Sequence, residues 1–571
     1  MIEAGSINSY FSGEELLTKV RFRVALAFLF LMGFVLYLPA IQSGLSSDDW
    51  GLSYPEPTRA ILKSFHGHWF GGGTGELYRP LTRVFIWAQG HAFGYNGFYQ
   101  HLVGLALFYG TILVFSYWAR ILAGRIAATL FVAICIVNPL NVETVSWISS
   151  QTDTVSLFFV TLAFHFAILF FLRNRYLHFS LLIVTSILAF LAKESAIVFS
   201  PVVILASIIL FYSNCLDAPA RRRLVIVSVG SIVLTLVYLL ARYWFLGQIG
   251  SSGLIDSTHI PSKDFPYHQT KILAGILNSY QSVLGYPTFP ASGSTEYSDY
   301  RWVLVLGALA LLFLLITKSY LLLFLALSAF VCLTPALIVE HPFFYVPMVG
   351  SYRYLYATNF FLSLFAAITL SRVVQKFRDP IYLVFMFVLL LPALYNAGRS
   401  TTIAVGEWER AGSIRNQLTS SLNDLRPPAA QATIVYGILP DSSGGSFIFR
   451  NGFTEYMKLI HPNFFAIKAA NFSPNLTSVT LPIYKLEFQS GKFELSRWTA
   501  AESALAAKAV RSHAIPPKMP IDFNFASKST PSNDFGKSPD LVVLDSEREP
   551  LLTEISGGDP YLVFPWTFAF S

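Results

Sequence analysis

The sequence is short of charge. Only 13% of its 571 residues are Asp, Glu, Lys or Arg, against roughly 25% in an average soluble protein. At the same time 54% of the residues are hydrophobic, and the mean hydropathy is +0.53. A single globular core stops growing well before it could bury so much apolar surface. The lack of charge therefore excludes an ordinary soluble globular protein and indicates that lipid is part of the solvent.

Cysteine is scarce as well, and basic residues never form a long run. The cysteines are Cys135, Cys215 and Cys332, far apart in sequence, which excludes a disulfide framework and a thiolate metal site. The formal net charge is +7, but the Lys and Arg residues occur in small clusters between apolar runs. Such clusters are typical of loops that face anionic lipid, so nucleic acid is not expected as a partner.

What the sequence has in abundance is apolar runs close to the length of a membrane span, which is roughly 20 residues. We predict a mainly α fold, a polytopic membrane bundle of about eleven transmembrane helices. The predicted spans are Val24–Ile41, His101–Trp118, Ile126–Val137, Val155–Leu172, Leu177–Leu191, Ala196–Phe211, Leu224–Leu240, Val303–Ile316, Leu321–Val339, Tyr354–Leu370 and Ile381–Tyr395.

The distribution of Lys and Arg predicts the orientation of this bundle. With the N-terminal tail cytoplasmic, all the clustered basic residues fall on the cytoplasmic side, as the positive-inside rule requires. These residues are Arg120 and Arg125, Arg173 and Arg175, Arg221 to Arg223, Lys318, and Arg372, Lys376 and Arg378. The loop after the first span and everything after Tyr395 are then expected on the outer face.

Hydrophobicity drops after Tyr395, and the sequence predicts a domain boundary there. Residues 1–395 are expected to form the membrane domain, and residues 396–571 a smaller extracytoplasmic α/β domain. Within it, 432–440 and 540–546 resemble buried strands, 484–498 alternates around a Ser-Gly turn as a hairpin does, and 499–514 resembles a helix.

Two adjacent carboxylates, Asp48 and Asp49, directly follow the first span. One interpretation is that they are solvated loop residues, because Asp is common in turns. The other is that one of them is a general base at the membrane–water boundary, where partial desolvation raises a carboxylate pKa. Spacing alone leaves both interpretations open.

Further motifs follow this pair in a definite order along residues 24–395. They are Arg79-Pro80-Leu81, His101-Leu102-Val103, the run from Asn138 to Trp147, Asp153, Lys193-Glu194, and Arg353 to Tyr356. The ordered set resembles the polytopic GT-C glycosyltransferases, and within them the branch of TMTC-type and protein O-mannosyltransferase-like enzymes. The sequence departs from the family pattern at Asn138 and Asn141, where the family has histidines, and the repeat array of the TMTC proteins is missing.

The resemblance implies an inverting, mannosyltransferase-like enzyme that takes a monosaccharide from a polyprenyl-phosphate carrier. Asp48 or Asp49 would be the base, with a slight preference for Asp48. Arg79, Lys193 and Arg353 would bind the donor phosphate, since Arg grips phosphate bidentately and Lys offers a point charge. Simple snorkelling or a salt bridge between Lys193 and Glu194 is the alternative for those two residues.

Four more residues are predicted to orient the acceptor or the sugar: Glu143, His101, Glu194 and Tyr356. For Glu143 an ion pair with Arg79 or Arg83 is an equal alternative, and His101 alone is more often a satisfied core residue. Asp153 is at a helix start, where a carboxylate stabilises the helix dipole. His66 and His68 lack a third metal ligand.

The sequence thus predicts a multi-pass protein of a bacterial or archaeal plasma membrane, with the C-terminal domain outside. Its partners would be a polyprenyl-phosphate-linked sugar, membrane lipids and an acceptor of unknown class, whether protein, lipid or polysaccharide. No cofactor is expected to be required, although a divalent cation is a minor alternative. The alternatives in function are a lipid or solute transporter or flippase, and a non-catalytic glycan-binding relative.

Overall fold

A computed structural model gives the architecture of the chain. It describes residues 13–53, 57–66, 77–212, 217–246, 309–338, 352–376 and 380–424. Beyond these it describes short pieces of the C-terminal part, namely 433–438, 442–443, 446–448, 456–457, 464–468, 483–489, 492–497, 521–524 and 542–545. The predicted helix over 499–514 and the residues His68 and Trp69 lie outside the described residues.

Helices make up most of the described structure. They are α1 (Gly13–Gln42), α2 (Asp49–Leu52), α3 (Thr58–Lys63), α4 (Pro80–Phe93), α5 (Gly97–Ile136), α6 (Val142–Ser146), α7 (Gln151–Arg173), α8 (Tyr176–Ala192), α9 (Phe199–Tyr212), α10 (Ala218–Leu246), α11 (Tyr320–Ile338), α12 (Tyr356–Lys376) and α13 (Pro380–Asp424). Short 3-10 turns lie at Pro139–Asn141, Ile148–Ser150, Glu194–Val198 and Tyr352–Leu355. Residues 309–316 are also helical.

Six of the described helices are long and apolar enough to cross a membrane. They occupy Val20–Gln42, Gly97–Ile136, Ile148–Arg173, Glu194–Tyr212, Ala218–Leu246 and Arg353–Lys376. Two shorter apolar helices lie at Tyr176–Ala192 and Tyr320–Pro335. Each coincides with predicted spans, so an α-helical membrane bundle is confirmed, whereas the total of about eleven stays a prediction.

Helix α5 covers two of the predicted spans because it contains a break. Gly124 has φ +86° and ψ −175°, a conformation outside the helix that glycine adopts without steric cost. The hydroxyl of Ser371 and the side-chain amide of Gln375, both on α12, donate to the carbonyl of Ala123 at 3.1 and 3.2 Å. The break thus separates the two predicted spans, and hydrogen bonds from α12 stabilise it.

Apolar side chains are exposed along the outside of the bundle. On α1, Val24, Phe28, Leu31 and Val35 recur at helical spacing and are each more than half exposed. A stripe at this spacing lies on one helix face. In water such a stripe would be costly, so we infer that it faces lipid.

Aromatic side chains fill the bundle core. Phe108, Phe115, Phe131 and Phe360, from α5 and α12, are fully or almost fully buried against one another. Their ring centroids lie 5.3 to 6.2 Å apart, within the range of favourable aromatic pairs. This core fixes α5 against α12.

Strands appear only after α13 in the described residues. They are β1 (Thr433–Ile438), β2 (Ser442–Ser443), β3 (Ser446–Phe447), β4 (Phe464–Lys468), β5 (Ile483–Gln489), β6 (Lys492–Arg497), β7 (Ile521–Asn524) and β8 (Val542–Asp545). The four-stranded sheet has the order β4-β1-β5-β6, with β1 parallel to both neighbours. Strands β5 and β6 pair antiparallel with Gln489 opposite Lys492, which is the hairpin predicted from the sequence. The α/β domain over 396–571 as a unit remains a prediction.

Candidate active site

The acidic pair lies in residues 43–50, which comprise the short loop after α1 and the first two residues of α2. We refer to this segment as the acidic loop. Two of its residues, Gly44 (φ +76°) and Ser47 (φ +50°), are in the left-handed region. For Ser47 that conformation is uncommon and persists only where the surroundings over-determine it. The loop is therefore held in one shape by its contacts.

The two carboxylates have different environments. Asp48, at the N-cap of α2, is partly exposed, whereas Asp49 is fully buried. Consecutive residues of a helical turn point about 100° apart, so one acid faces inward while its neighbour faces outward. This difference could not be predicted from the dipeptide itself.

Both carboxylate oxygens of Asp49 accept backbone hydrogen bonds. Oδ2 accepts the amide of Ser46 at 3.0 Å, and Oδ1 accepts the amide of Ser149 at 2.7 Å. Burial raises the pKa of Asp49 to about 8, although the two amides lower it and the charge of Asp48 raises it further. Asp49 therefore ties the acidic loop to the segment before α7, and Asp48 is the carboxylate that remains accessible.

That segment, residues 138–150, is folded into short turns by its own polar side chains. The side chain of Asn138 accepts the amide of Leu140 at 3.0 Å, capping the first 3-10 turn. Asn141 donates to the carbonyl of Cys135 at 3.1 Å and accepts from Asn359 of α12 at 3.2 Å. These are the two positions where the family pattern has histidine. In this chain Asn138 stabilises the first turn of the segment, and Asn141 joins the segment to α5 and α12.

A cluster of basic residues and acids lies next to this segment. The guanidinium of Arg79 binds the carboxylate of Glu194 through two hydrogen bonds, one of them Nε to Oε2 at 2.8 Å. Lys193 Nζ lies 2.5 Å from Asp153 Oδ1, and both side chains are largely buried. Lys193 and Glu194 do not pair with each other, so that alternative from the sequence is wrong.

The reason is the backbone at Lys193. This residue is extended (φ −159°, ψ 140°) between α8 and the following 3-10 turn. Neighbouring side chains in extended backbone point to opposite sides. Lys193 consequently faces α7, and Glu194 faces Arg79 at the start of α4. Two adjacent charges become two separate ion pairs.

Arg353, in the 3-10 turn before α12, completes the cluster. Its guanidinium carbon lies 5.0 Å from the centroid of the Trp147 ring and 5.2 Å from that of Tyr354. Lys193 Nζ lies 5.3 Å from the same Tyr354 ring. All three distances are within the range of a cation–π contact. Arg353 and Lys193 are therefore both neighbours of Tyr354.

Arg79 interacts electrostatically with other charged residues of the cluster. Burial lowers the pKa of Arg79, but Glu194 and Asp153 raise it and Arg353 opposes them, with a net rise. Arg79, Lys193 and Arg353, the three predicted phosphate-binding residues, thus lie in one cluster. Its acids are Glu194 and Asp153.

One short stretch connects the acidic loop to the basic cluster. Trp147 lies against Arg353, the amide of Ser149 holds Asp49, and Asp153 holds Lys193. Ser149 and Asp153 are four residues apart along helical turns, which corresponds to about 6 Å of helix axis. The structure therefore brings the predicted base and the predicted phosphate-binding residues to the same end of the bundle.

The remaining predicted residues are buried at different places. His101 Nε2 lies 3.0 Å from the carbonyl of Gly44, so this histidine contacts the acidic loop. Glu143 is buried in α6 and interacts electrostatically with Arg353. Of Arg79 and Arg83, the two ion-pair partners predicted for it, Arg79 pairs with Glu194. Tyr356 is buried and its ring contacts Phe108 and Phe360 of the bundle core.

Sequence reasoning missed several residues of the site. Glu194 interacts electrostatically with Arg242 of α10, in addition to Arg79 and Lys193. Arg242 is buried, and an arginine at the end of an apolar run is a signal that could have found it. A second missed feature is a chain of buried amides, in which Gln89 donates to Gln151 at 2.7 Å and Gln151 donates to the carbonyl of Gln100 at 2.8 Å.

Within the described part of the chain, no group of three or more His, Cys, Asp and Glu side chains is arranged to hold a metal ion. The basic cluster offers anion-binding groups instead, and two of its cations are guanidinium groups, which suit bidentate contacts with phosphate.

Comparison with known proteins gives matches among solved structures alone, since no family profile and no curated sequence matches the chain. The archaeal oligosaccharyltransferase AglB from Archaeoglobus fulgidus, solved with an inhibitory peptide and a dolichol-phosphate, is similar at a TM-score of 0.48 and 11% identity. The match covers 92% of this chain and 76% of that chain.

ArnT from Cupriavidus metallidurans is similar at 13% identity, with a TM-score of 0.43 in the apo state and 0.40 when bound to undecaprenyl phosphate. Both matches cover 81% of this chain and 92% of that chain. These neighbours are GT-C glycosyltransferases, the superfamily that the sequence resembles, and none of them is a TMTC-type enzyme. Every TM-score is below 0.5, so the function proposed below is argued from this chain's own residues.

Proposed function

We propose that the protein is an integral-membrane glycosyltransferase that moves a monosaccharide from a polyprenyl-phosphate carrier to an acceptor hydroxyl at the outer face of the membrane. The observation that carries the proposal is the stretch from Trp147 to Asp153, which contacts the acidic loop and two of the three cations. A lipid-linked donor keeps its tail in the bilayer, so its phosphate reaches groups at the end of a helical bundle.

The reaction is a single displacement at the anomeric carbon. The acceptor oxygen forms a bond to that carbon while the bond to the phosphate oxygen breaks, and the configuration inverts. Asp48 takes the proton of the acceptor hydroxyl, and the electron pair of the broken bond leaves with the phosphate. Asp48 is the better base of the pair, because both oxygens of Asp49 already accept backbone amides.

The cations stabilise the leaving phosphate, on which negative charge develops. Arg79 and Arg353 offer guanidinium groups, and Lys193 contributes charge from beside Tyr354. In the structure, Glu194 and Asp153 hold Arg79 and Lys193 in place. A phosphate that enters the cluster shares these cations with the carboxylates already there.

The same proposal includes the arrangement predicted from the sequence. Residues 1–395 form the catalytic membrane domain and residues 396–571 an extracytoplasmic domain. The N-terminus is cytoplasmic, and the membrane is a bacterial or archaeal plasma membrane. The clustering of Arg and Lys in alternate loops supports this orientation.

The test is sugar transfer by the purified chain in lipid nanodiscs, with a panel of polyprenyl-phosphate monosaccharides and detection of released or transferred sugar. Asp48→Asn is expected to lower the turnover at least 100-fold with an unchanged KM for the donor. The matched control is Asp217→Asn, because the Asp217 carboxylate accepts the amide of Ala220 in the first turn of α10, 25 residues before Arg242. That variant should retain activity within twofold.

Two results would overturn the proposal. If the wild-type chain transfers no sugar from any donor of the panel, the assignment as an enzyme fails, and the alternative of a lipid or solute transporter is favoured. If Asp48→Asn is as active as the wild type, the base assignment fails while the glycosyltransferase class stands.

A further inference from the structure

Arg415 joins the outer part of α13 to the acidic loop. Its Nη1 donates to the carbonyl of Leu45 at 2.5 Å, and its Nη2 donates to the side-chain oxygen of Asn416 at 2.8 Å. Its guanidinium carbon also lies 5.9 Å from the centroid of the Trp50 ring. One arginine from a distant helix therefore contacts residues on both sides of Asp48 and Asp49.

Two glycines let α13 come this close. A Cβ atom on Gly412 of α13 would lie 2.6 Å from the backbone carbonyl oxygen of Ser43. A Cβ on Gly44 would lie 2.7 Å from Nη1 of Arg415, and the φ of Gly44 is +76°. No side chain fits between the helix and the loop, so the position of α13 fixes the position of the loop.

The residues after β2 reinforce this contact. The amide of Ser47 donates to the carbonyl of Ile448 at 2.9 Å, and the hydroxyl of Ser446 donates to the carbonyl of Glu407 on α13 at 2.7 Å. Trp50 lies edge-on to Tyr456, with ring centroids 4.8 Å apart. The acidic loop thus contacts α13 and the C-terminal part together.

Charge explains why the contact is made by an arginine. The titratable groups that face Asp49 are Asp48 on the same loop and Arg415 from α13, while His101 of α5 contacts the loop through Gly44. The segment before α7 faces Asp49 with the amide of Ser149. Arg415 is the guanidinium that faces Asp49, and it also faces the hydroxyl of Tyr456.

We propose that Arg415 is the positioning residue of the acidic loop: it fixes the loop backbone through Leu45 and offsets the negative charge that develops on the loop when Asp49 ionises. Its effect on catalysis rests on the proposed function, whereas its hold on the loop does not. Because Arg415 belongs to the outer part of α13, a shift of that helix or of the segment around Ile448 moves the acidic loop.

The first test measures apparent thermal unfolding of Arg415→Gln, Arg415→Lys and Asp49→Asn/Arg415→Gln between pH 6 and pH 9. Without Arg415, the pKa of Asp49 rises further, so ionising this buried acid at alkaline pH destabilises the fold more. Arg415→Gln should lower the unfolding temperature more at pH 9 than at pH 6. Adding Asp49→Asn to Arg415→Gln should remove at least half of the difference between the losses at pH 9 and pH 6. Arg415→Lys should lower the unfolding temperature less than Arg415→Gln does.

Arg410→Gln is the matched control on the same helix, since Arg410 is exposed and pairs with Glu407. It should behave as the wild type at every pH. If the loss caused by Arg415→Gln is equal at pH 6 and pH 9, and unchanged by Asp49→Asn, Arg415 is a packing residue and the proposal is overturned.

The second test uses the sugar-transfer assay. Arg415→Gln should lower kcat at least tenfold, leave KM for the donor within twofold, and move the acidic limb of the pH profile upward. A rise in KM at constant kcat would overturn the proposal, because Arg415 would then contact the donor. If the wild type transfers no sugar, the proposed function fails, and the unfolding experiment still decides whether Arg415 positions the loop.

Discussion

Oδ1 of Asp49 accepts the backbone amide of Ser149 at 2.7 Å, across 100 positions of sequence. This hydrogen bond joins the loop after α1 to the segment before α7. It also leaves Asp49 without a free oxygen, since Oδ2 is held by Ser46. The acid beside it, Asp48, is partly exposed.

The burial of Asp49 predicts a dependence of stability on pH. Its pKa is about 8 in the folded chain and near its usual value of 3.8 when unfolded. Between these values the folded state binds the proton and the unfolded state does not. The free energy of unfolding therefore falls as pH rises from about 4 to 8, by at most about 1.4 kcal/mol per pH unit. Asp49→Asn should remove this slope in thermal unfolding between pH 5 and pH 8. Parallel wild-type and variant curves would contradict it.

The buried pair of Lys193 and Asp153 should be costly to break from one side. Either Lys193→Gln or Asp153→Asn leaves an uncompensated charge in a buried position, at a cost of about 3–5 kcal/mol. The double variant should recover part of that loss, which chemical denaturation can measure. The control is the pair of exposed Arg410 and partly buried Glu407, where Arg410→Gln should cost about 0–1 kcal/mol. Equal losses at both pairs would show that Lys193 and Asp153 are solvated.

Arg79 and Glu194 should have opposite effects on donor binding. Arg79→Gln removes the bidentate guanidinium, and we expect KM for the donor to rise at least tenfold. Glu194→Gln keeps a hydrogen-bond acceptor for Arg79 but removes the charge that competes with phosphate, so KM should fall. Steady-state kinetics over donor concentration gives both values. If KM rises in both variants, Glu194 orients the sugar and does not neutralise the cluster.

The contact of Arg353 with Trp147 gives a fourth prediction. Trp147→Ala removes the ring on which the guanidinium lies, and a cation–π contact contributes about 0.5–2 kcal/mol. Donor KM should rise roughly 2- to 30-fold, which is the same energy at RT ≈ 0.59 kcal/mol. Trp147→Phe should retain most of the binding. Because Trp147 also packs near Trp408, unfolding is measured in parallel. A change in stability with unchanged KM would assign Trp147 to packing alone.

Much of the fold was predictable because apolar runs of spanning length have few alternatives to a helix in lipid. The spans over α1, α7 and α10 were located within a few residues. The β5–β6 hairpin was equally predictable, because alternation on both sides of Ser490-Gly491 encodes the register. The sequence predicted two separate spans on either side of Gly124. The structure instead has one helix, α5, in which Gly124 has a non-helical conformation.

The sequence by itself determined the solvent of this protein and the types of residue available for its chemistry: an acidic pair after the first span and cations later on. Only the tertiary structure decided the partners. Lys193 and Glu194 are adjacent, yet extended backbone at Lys193 sends one to Asp153 and the other to Arg79. Arg415 reaches Leu45 across 370 positions. Composition and periodicity report burial and local conformation, whereas the direction of a side chain and its distant partner depend on how the helices pack.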